Sequence, residues 1–536
     1  MVIFLKISLV IHLYNILPIE FIKLQESLIN QTFGFHNIQI IIIDNCSVIS
    51  ESKNLISEFE KYDNVNIIFL DDHCTDYEAY KIGLSKVKTD YVLLFNSQDL
   101  LYSDSCELLY NEVNENNAEI VIGNYKSLKN DESNLEKYFS NSCSFSYNNI
   151  DYNIFKINFA LGSRIYKKEL LDDIFSIKEF ESWSYFNFVT LTNAKCIRII
   201  NNMIIQLNGN IKDNSIINLD KLFILNKLIK EKYSKLTITI KTPNSSKNRH
   251  WGDYFYAIAL KKAFEKKGFN VIIHEKEFWD SDENTDIVIV LRGLFEYSPK
   301  PDHINLMWNI SHPDVVSIEE YENYDFVFIA SEKFANEINN KTKVFVKPLL
   351  QCTDPEVFHH ADTKKFNDDI LFVGVTKNIF RKIVKDINKT DHDFSVYGYG
   401  WDKYINKKFI KGDFIPNNIL NQAYSSCKIL LNDHWEDMRD NDFPSNRLFD
   451  ALACSTFVIS DDIASSNSLF EGNIINYIDC DDLNKKVEYY LTHDDVRKSI
   501  ANAGREIVLK YHTFDKRVEE ILDILKNYNY NRFLIK

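Results

Sequence analysis

Residues 430–461 read LLNDHWEDMRDNDFPSNRLFDALACSTFVISD, and this stretch decides how the C-terminal half of the chain folds. A short apolar run over 428–431 predicts a strand, and the Pro-Ser pair after the polar loop opens a helix predicted over 445–454. A second apolar run over 456–460 predicts the next strand. Short apolar strands alternating with helices are typical of a parallel sheet with helices on both faces. The polar residues after the first strand are therefore expected at the sheet edge where such folds bind ligands.

The same alternation extends over most of the chain and restarts twice. Residues 1–215 are predicted to form an α/β domain with a parallel sheet, and residues 216–235 form a mostly helical linker. Residues 236–350 and 351–536 are each predicted to form a Rossmann-like domain, the second of which ends in closing helices. The expected fold class is therefore α/β, with one domain followed by a tandem pair.

Composition limits the classes of function open to the chain. Its 536 residues carry a formal net charge of −15, which argues against a nucleic-acid partner held through phosphate contacts. Nine cysteines are scattered without a Cys-x-x-Cys pair, so we expect reduced thiols in a cytoplasmic protein, without a zinc site or disulfide framework. No apolar run reaches the roughly 18 residues of a spanning helix, so no transmembrane segment is expected, and peripheral membrane contact stays open.

Two aspartates in the opening stretch match a known motif. Asp442 and Asp450 are separated by seven residues, and an Ala-x-Ala run follows, with Ser455 where Gly is usual. The block resembles the nucleotide-sugar-binding half of GT-B glycosyltransferases, in particular the group-1 transferases related to the spore-maturation CgeB family. The resemblance implies that Asp450 binds the donor ribose and that Asp442 contacts the donor sugar. It also implies that Asn446 and Arg447 belong to the donor site.

The resemblance extends over about residues 236–528 and implies a site for the donor diphosphate. Gly374 ends a predicted strand, and Arg381 and Lys382 follow on a helix predicted over 379–387. A helix N-terminus offers unpaired N–H groups, and Arg or Lys neutralises the charge of a leaving diphosphate without a metal. Gly374 and Lys382 are therefore expected to bind the donor, and Arg381 is expected to stabilise the leaving group.

A glycine-bearing loop follows the first strand of the tandem pair. The stretch HWGDY (250–254) resembles the first loop of the GT-B fold and places Gly252 in the donor site. Asp253 is expected to cap a helix over 254–267, which ends before a glycine.

A histidine completes the predicted catalytic set. WNISHPD (308–314) places His312 at a strand end, and related enzymes often use a His there to touch the donor sugar. His312, Arg381 and Asp442 are therefore the predicted catalytic residues. Taken alone, each has a structural alternative: a satisfied structural His, a solvated helix face, or solvated surface charge.

Residues 3–110 resemble a family-2 glycosyltransferase of the GT-A type. IIIIDNCS (40–47) lies where active members usually have Asp-Asp-Gly-Ser, so Asp44 is retained while Asn and Cys replace the next two residues. LLFNSQD lies where Asp-x-Asp-Asp is usual, so Asn96 and Gln98 stand in place of carboxylates. Asp44 is expected to meet a nucleobase or ribose.

The ligand chemistry of this N-terminal site favours a loss of metal binding. Mg²⁺ and Mn²⁺ prefer anionic oxygens, whereas Asn96 and Gln98 offer neutral carbonyls and leave Asp99 as one carboxylate. By resemblance, Ser182 lies where a Glu-Asp pair often supplies the base, with Glu181 as a displaced substitute. The domain is therefore interpreted as degenerate, and Mg²⁺ or Mn²⁺ is expected only if it is active.

The leading hypothesis is a glycosyltransferase of the hexosyl- or N-acetylhexosaminyl-transferase class. Its donor is a nucleotide-diphosphate sugar, with a UDP-sugar favoured, and its acceptor is a bacterial surface polysaccharide precursor or a protein such as flagellin. The chemistry is expected in the GT-B module without a metal, and the resemblance favours retention of configuration. Two alternatives stay open: a bifunctional transferase with both modules active, and a non-catalytic nucleotide-sugar or glycan-binding regulator.

Overall fold

The fold is described from a computed structural model of the chain. It describes residues 5–127, 142–145, 161–176, 183–207, 219–229, 231–281, 284–363, 365–387 and 391–527. The chain forms two compact units, which part between Leu219 and Asp220. No helix among these residues is both long enough and apolar enough to span a lipid bilayer.

The N-terminal unit is built around one mixed sheet. Its strands are β1 (Ile7–Leu13), β2 (Ile38–Asp44), β3 (Val65–Phe69), β4 (Tyr91–Asn96), β5 (Leu100–Leu101), β6 (Ile120–Ser127), β7 (Cys143–Phe145), β8 (Arg164–Lys167) and β9 (Ile197–Leu207). Its helices are α1 (Pro18–Ile29), α2 (Ser50–Phe59), α3 (Asp76–Leu84), α4 (Ser105–Asn116), α5 (Lys168–Ser176) and α6 (Trp183–Asn193). The strand order is β3-β2-β1-β4-β8-β6-β9-β5, and β7 pairs with β9.

The expectation of a parallel sheet is right for one half of this unit and wrong for the other. Strands β3, β2, β1 and β4 are parallel, whereas β8 is antiparallel to both of its neighbours, β4 and β6. The sequence pattern misses this because a buried run of apolar residues has the same alternation in either strand direction.

Both faces of the N-terminal sheet are buried. Leu9 and Ile11 of β1 pack into one hydrophobic cluster, whereas Val10 packs with Ile41 and Ile43 into the other. Successive side chains of a strand point to opposite faces, so the run of four isoleucines in β2 contributes to both clusters. The carboxyl ends of the strands are thereby held in a rigid layer.

The second unit begins with an open parallel sheet of six strands. The strands are β10 (Thr237–Lys241), β11 (Asn270–His274), β12 (Ile287–Arg292), β13 (Ile304–Asn309), β14 (Phe326–Ile329) and β15 (Phe345–Pro348), in the order β11-β10-β12-β13-β14-β15. The helices are α7 (Leu219–Ile229), α8 (Gly252–Lys266), α9 (Ile318–Glu322) and α10 (Glu332–Asn339). We call this part the first half of the unit.

A second parallel sheet of six strands follows and forms the second half. Its strands are β16 (Ile370–Val373), β17 (Phe394–Tyr397), β18 (Ile410–Gly412), β19 (Ile429–Asn432), β20 (Val458–Asp461) and β21 (Ile475–Tyr477), in the order β18-β17-β16-β19-β20-β21. Its helices are α11 (Lys382–Ile387), α12 (Asn417–Ser426), α13 (Glu436–Asp440), α14 (Asn446–Ala453), α15 (Ser466–Leu469), α16 (Cys480–Thr492), α17 (Asp494–Tyr511) and α18 (Phe514–Asn527). Two tandem Rossmann-like sheets give this unit the GT-B architecture.

Two predicted helix starts differ from the structure. The helix expected from residue 379 begins at Lys382, after a loop in which Lys377 and Asn378 adopt left-handed conformations with φ of 47° and 62°. Asp253 does not cap its helix: α8 begins at Gly252 with Trp251 as the N-cap residue, so Asp253 lies in the first turn. The side chain of Asp253 is thereby available for another contact.

Candidate functional site

The site lies where the strand order of each half reverses. In the first half the reversal falls between β10 and β12, and in the second half between β16 and β19. Loops that leave neighbouring strands in opposite directions at such a point open a crevice at the carboxyl edge of the sheet. The two crevices contribute to a single cavity of about 650 Å³, a size typical of small-molecule sites. We call it the main cavity.

Both halves of the unit line the main cavity. The first half contributes the loop that contains Gly252 and the loop that contains His312. The second half contributes Gly374 and the segment around Tyr397, together with Arg447. The structure therefore brings Gly252, His312, Gly374 and Arg447 together, although 195 positions separate the first of these from the last.

A smaller cavity of about 180 Å³ adjoins the main cavity, and we call it the side cavity. Asp253, Trp435 and Arg447 line both cavities. The side cavity is also lined by Arg381 and by Asn446, the first residue of α14. Helix N-termini and guanidinium groups both favour anions, so these groups favour a phosphate here, next to the carboxylates of Asp253 and Asp433 that also line the cavity.

Arg381 is held rigidly at the wall of the side cavity. Its Nε and Nη2 atoms donate to Oδ2 and Oδ1 of Asp433 at 2.8 and 2.5 Å. The guanidinium also lies 3.9 Å from the ring centroid of Trp435. Its Nη1 atom makes no hydrogen bond among the described residues, so this nitrogen remains for a ligand.

Arg447 needs the glycine at position 374. Its Nη1 atom donates to Oδ1 of Asn432 at 2.6 Å, which fixes the side chain across the end of β19. A Cβ atom at Gly374 would lie 3.1 Å from Nη2 of Arg447. The strand-ending glycine thus leaves room for the guanidinium of Arg447 beside the cavities.

The two adjacent basic residues Arg381 and Lys382 do not share a role. The Lys382 side chain is 56% exposed, pairs with Asp386 one helical turn away at 2.5 Å, and lines neither cavity. Lys377, which sequence reasoning missed, lines the main cavity instead, with Nζ 5.0 Å from the Trp435 ring centroid. The sequence did contain a signal for Lys377, because it is a basic residue in the loop between Gly374 and the following helix.

The two aspartates of the Asp-x7-Asp motif stand behind the cavities and line neither of them. Oδ1 of Asp442 accepts from both the backbone N and the Oγ of Ser465, each at 2.9 Å. Asp450 accepts from Thr353 Oγ1 at 2.7 Å and from Asn446 Nδ2 at 2.8 Å. Asp450 therefore links the segment after β15, which contains Thr353, to the first turn of α14. Its contact with a donor ribose stays a prediction.

Asp450 makes the stability of the fold depend on pH. Burial raises its pKa to about 8, so the folded protein keeps a proton that the unfolded chain releases near pH 4. The unfolded state then binds fewer protons between these values, and stability falls with rising pH by about 1.4 kcal/mol per unit.

We expect Asp450→Asn to remove this dependence. Its unfolding free energy relative to the wild type should rise by about 2–3 kcal/mol between pH 6 and pH 8, measured by urea denaturation at both values. If the unfolding free energy of Asp450→Asn relative to the wild type were the same at pH 6 and pH 8, the raised pKa assigned to Asp450 would be contradicted.

His312 lies at the main cavity in a left-handed conformation with φ of 52°. Its Nδ1 atom lies 3.0 Å from the Oγ of Ser311, which orients the ring. Burial and the nearby charge of Lys377 lower the pKa of His312. The imidazole is therefore neutral near pH 7, and its contact with a donor sugar stays a prediction.

Two substitutions for the usual glycine leave a signature in the backbone. Cys46 in the N-terminal unit and Ser455 after α14 adopt φ values of 64° and 57°. This left-handed region favours glycine, since side chains with a Cβ atom pay about 1–2 kcal/mol there. The backbone turn is thus kept at both positions where the glycine is replaced.

The predicted residues of the N-terminal site are engaged locally. Oδ1 of Asp44 accepts from Ser47 N at 3.3 Å, while its Oδ2 is buried without a hydrogen bond among the described residues. Oδ1 of Asn96 accepts from the backbone N of Gln98 at 3.2 Å, and Asp99 is buried. Glu181 lies outside the described residues. Over the described ranges, no group of three His, Cys, Asp or Glu residues is arranged to hold a metal ion.

A polar cluster beside Asp44 was missed by sequence reasoning. His12 Nε2 lies 3.1 Å from Asn45 Nδ2, and His12 Nδ1 lies 3.5 Å from an oxygen of Asp76. Asn45 also bonds the backbone of Cys74 through both atoms of its amide. The amide that replaces the usual second carboxylate therefore cross-links β1, β2 and the start of α3.

Comparison with known proteins identifies both modules. Residues 8–175 match the family model described as "Glycosyl transferase family 2", and residues 376–523 match the one described as "Glycosyl transferase-like". The chain is 31% identical to the glycosyltransferase GlyG of Streptococcus pneumoniae serotype 4 over 134 residues, which cover 25% of this chain and 42% of GlyG. It is 27% identical to the glycosyltransferase GlyA of the same organism over 196 residues, which cover 34% of this chain and 27% of GlyA. The chain thus spans less than half the length of these curated relatives.

Solved structures resemble parts of the chain more distantly. TarS residues 1–349 from S. aureus, in complex with UDP-GlcNAc, align with a TM-score of 0.36 at 15% identity, over 42% of this chain and 67% of that one. Sucrose-phosphate synthase from Thermosynechococcus elongatus aligns with a TM-score of 0.42 at 12% identity, over 54% and 98%. From the two family matches, the chain joins a glycosyl transferase family 2 domain to a glycosyl transferase-like domain of GT-B architecture.

Proposed function

We propose that this protein is a glycosyltransferase whose chemistry takes place in the second unit. One observation carries the proposal: the main and side cavities meet at Arg447, with the N-terminus of α14 and two further basic residues around them. A nucleotide-diphosphate sugar needs a cavity of this size and a cationic site for two phosphates. The favoured donor is a UDP-sugar.

The basic residues supply the positive charge that the departing diphosphate requires. Arg447 and Arg381 line the side cavity, and Lys377 lines the main cavity beside it. Preorganised cations that face developing negative charge lower the barrier of group transfer. The Asp433 and Asn432 contacts hold both guanidinium groups in place before the donor arrives, so little reorganisation is needed. His312 is assigned to the donor sugar.

We assign the N-terminal unit a binding or scaffolding part. Its Asn96 oxygen is engaged by the local backbone, and its Asn45 amide serves as a cross-link. A bacterial surface glycan or a protein is the proposed acceptor class, and the similar S. aureus protein TarP is by name a poly(ribitol-phosphate) β-N-acetylglucosaminyltransferase. The family-2 match keeps a second candidate open, a bifunctional enzyme with both modules active.

A panel of nucleotide sugars tests the assignment. The wild type is expected to release nucleoside diphosphate from at least one donor, with EDTA causing no loss, and Arg447→Ala should lower this turnover by about 100-fold or more. Asp99→Asn is the companion variant in the N-terminal unit and should keep the activity. Turnover that EDTA abolishes and that Asp99→Asn loses would move the chemistry to the N-terminal unit. Donor binding without turnover would favour a regulator.

A further inference from the structure

Arg447 is held beside the cavities by an asparagine that is itself fixed in one orientation. Nη1 of Arg447 donates to Oδ1 of Asn432, the last residue of β19, at 2.6 Å. The amide nitrogen of Asn432 donates to the Oγ of Ser460 on β20 at 2.9 Å. The register of the two parallel strands pairs Asn432 with Ser460, so this contact follows from the sheet itself. The amide presents its oxygen to Arg447 because its nitrogen has an acceptor on the other side.

The next residue of β20, Asp461, decides which way the hydroxyl of Ser460 points. Oδ1 of Asp461 accepts the hydroxyl proton of Ser460 at 3.1 Å. A serine hydroxyl that donates its proton to a carboxylate keeps its lone pairs for another donor, here the amide of Asn432. The donors therefore point in one direction, from Arg447 through Asn432 and Ser460 to Asp461.

The same carboxylate fixes His434, whose buried ring lines the side cavity. Asp461 accepts from Nδ1 of His434 at 2.6 Å and from the backbone N of His434 at 3.0 Å. On the other side of the ring, Nε2 accepts from the backbone N of Ser445 at 3.0 Å. A backbone N–H can only donate, so Nε2 carries a lone pair and the ring proton lies on Nδ1, toward Asp461.

Both branches of this network end on α14. Ser445 is the N-cap residue of α14, and its side chain makes no capping hydrogen bond among the described residues. In a capping box the third helical residue accepts from the N-cap backbone, but that residue is Leu448 here and its side chain has no acceptor. His434 supplies the acceptor instead, while the other branch holds Arg447 in the first turn. Asp461 itself lines neither cavity.

The network needs Asp461 in its ionised form, because an ionised carboxylate accepts at both oxygens and donates at neither. Burial opposes the ionisation of Asp461, but the hydrogen bonds from His434 outweigh it and hold the pKa of Asp461 below its ordinary value. Asp433, a carboxylate nearby, is already bound by Arg381 through both of its oxygens. Asp461 is therefore the carboxylate on which the donors of both branches converge.

We propose that Asp461 is a positioning residue of the donor site, whose carboxylate orders the hydrogen bonds that hold Arg447 and the start of α14 in place for the diphosphate. The inference rests on the proposed function of the second unit and names the group that preorganises one of its cations. Asparagine cannot replace Asp461 in this role. Its amide nitrogen would face either the backbone N–H of His434 or the two donors on the other oxygen, Nδ1 of His434 and the Ser460 hydroxyl.

The test measures the affinity of the full chain for a nucleoside diphosphate by isothermal titration calorimetry. The probe is the one of UDP, GDP, ADP and dTDP that the wild type binds most tightly. The variants are Asp461→Asn, Ser460→Ala and, as the matched control, Asp462→Asn. Asp462 is the exposed neighbour of Asp461 and accepts from Asn476 Nδ2 at 2.6 Å, outside the network. Circular dichroism at the same temperature establishes that each variant is folded.

Asp461→Asn and Ser460→Ala are each expected to raise the dissociation constant by about tenfold or more, the cost of leaving a hydrogen bond in the network unmade. Asp462→Asn should stay within about twofold of the wild type, since it changes an exposed side chain. If Asp461→Asn does not fold, Ser460→Ala decides the question, because it leaves the bonds between Asp461 and His434 intact.

A double-mutant cycle separates positioning from a purely structural part. In an Arg447→Ala background, Ser460→Ala should change the dissociation constant by less than about twofold, because Ser460 reaches the diphosphate only through Arg447. A network that only stabilises the sheet would cost the same affinity in both backgrounds.

Two results would overturn the inference. One is wild-type affinity in a folded Asp461→Asn or Ser460→Ala variant, and the other is an equal loss from Ser460→Ala with and without Arg447. In either case the proposed function stands, because the wild type binds a nucleoside diphosphate. A wild type that binds none of the four overturns the proposed function of the second unit, and this inference fails with it.

Discussion

Arg381→Ala is expected to abolish turnover and to lower the free energy of unfolding by about 3–5 kcal/mol. The side chains of Arg381 and Asp433 are only 6% and 4% exposed, and two hydrogen bonds join them. Removing the guanidinium leaves the carboxylate of Asp433 buried without its countercharge, which is the costly way to break a buried pair. The same change removes a cation from the side cavity, so activity is lost even where the protein remains folded.

Lys382→Ala is the matched control for this change. Its own side chain is solvent-exposed and its ion pair with Asp386 lies within one helix, so the unfolding free energy should change by less than about 0.5 kcal/mol. Urea denaturation and donor turnover measure both variants. The double variant Arg381→Ala with Asp433→Ala should regain stability relative to Arg381→Ala but not activity. Equal losses in Lys382→Ala and Arg381→Ala would contradict the distinction between the two residues.

Gly398→Ala is expected to lower the free energy of unfolding by about 2–5 kcal/mol, the combined cost of overpacking and a strained backbone. Gly398 has φ of 151°, and a Cβ atom there would overlap the backbone carbonyl oxygen of Gly374. That oxygen also accepts the indole N–H of buried Trp401 at 2.8 Å. Gly374 lines the main cavity, so moving its carbonyl group away from the added methyl group would disturb both this hydrogen bond and the cavity wall.

Gly252→Ala provides the comparison, because both glycines line the main cavity. No atom lies within 4 Å of a Cβ placed on Gly252, so its stability should stay within about 0.5 kcal/mol of the wild type. Tryptophan fluorescence is a suitable probe of urea unfolding, since Trp183 is the one tryptophan of six that precedes the second unit. A Gly398→Ala protein as stable as Gly252→Ala would show that the close approach of the two loops is not required.

Most of the fold could be predicted from the chain because its elements are local. Strand β19 (Ile429–Asn432) lies within one residue of the run predicted over 428–431, and the glycine after α8 adopts the left-handed φ of 96° that ends helices. The antiparallel β8 was missed, since strand direction is decided by pairing rather than by hydrophobic pattern. The sheet edge at which the two cavities lie could be predicted for the same reason as the strands, because parallel strands bring their carboxyl ends to one edge.

Which side chains reach the cavities depends on backbone rotations that apolar patterns do not encode. Successive residues of a helix point about 100° apart, so Arg381 turns inward at the start of α11 while Lys382 faces solvent. The left-handed pair at residues 377–378 directs Lys377 into the main cavity in its place.

The sequence by itself determined the modules, their order and the loops that line the cavities, because these follow from hydrophobic periodicity and from short motifs. Tertiary structure alone decided the partners within the site. It bound Arg381 to Asp433, enclosed Asp450 between Thr353 and Asn446, and left Asp253 facing the cavities. Asn446 and Asp450 lie one turn apart in α14, whereas the other contacts join residues far apart in the chain and form only once the tertiary structure brings their elements together.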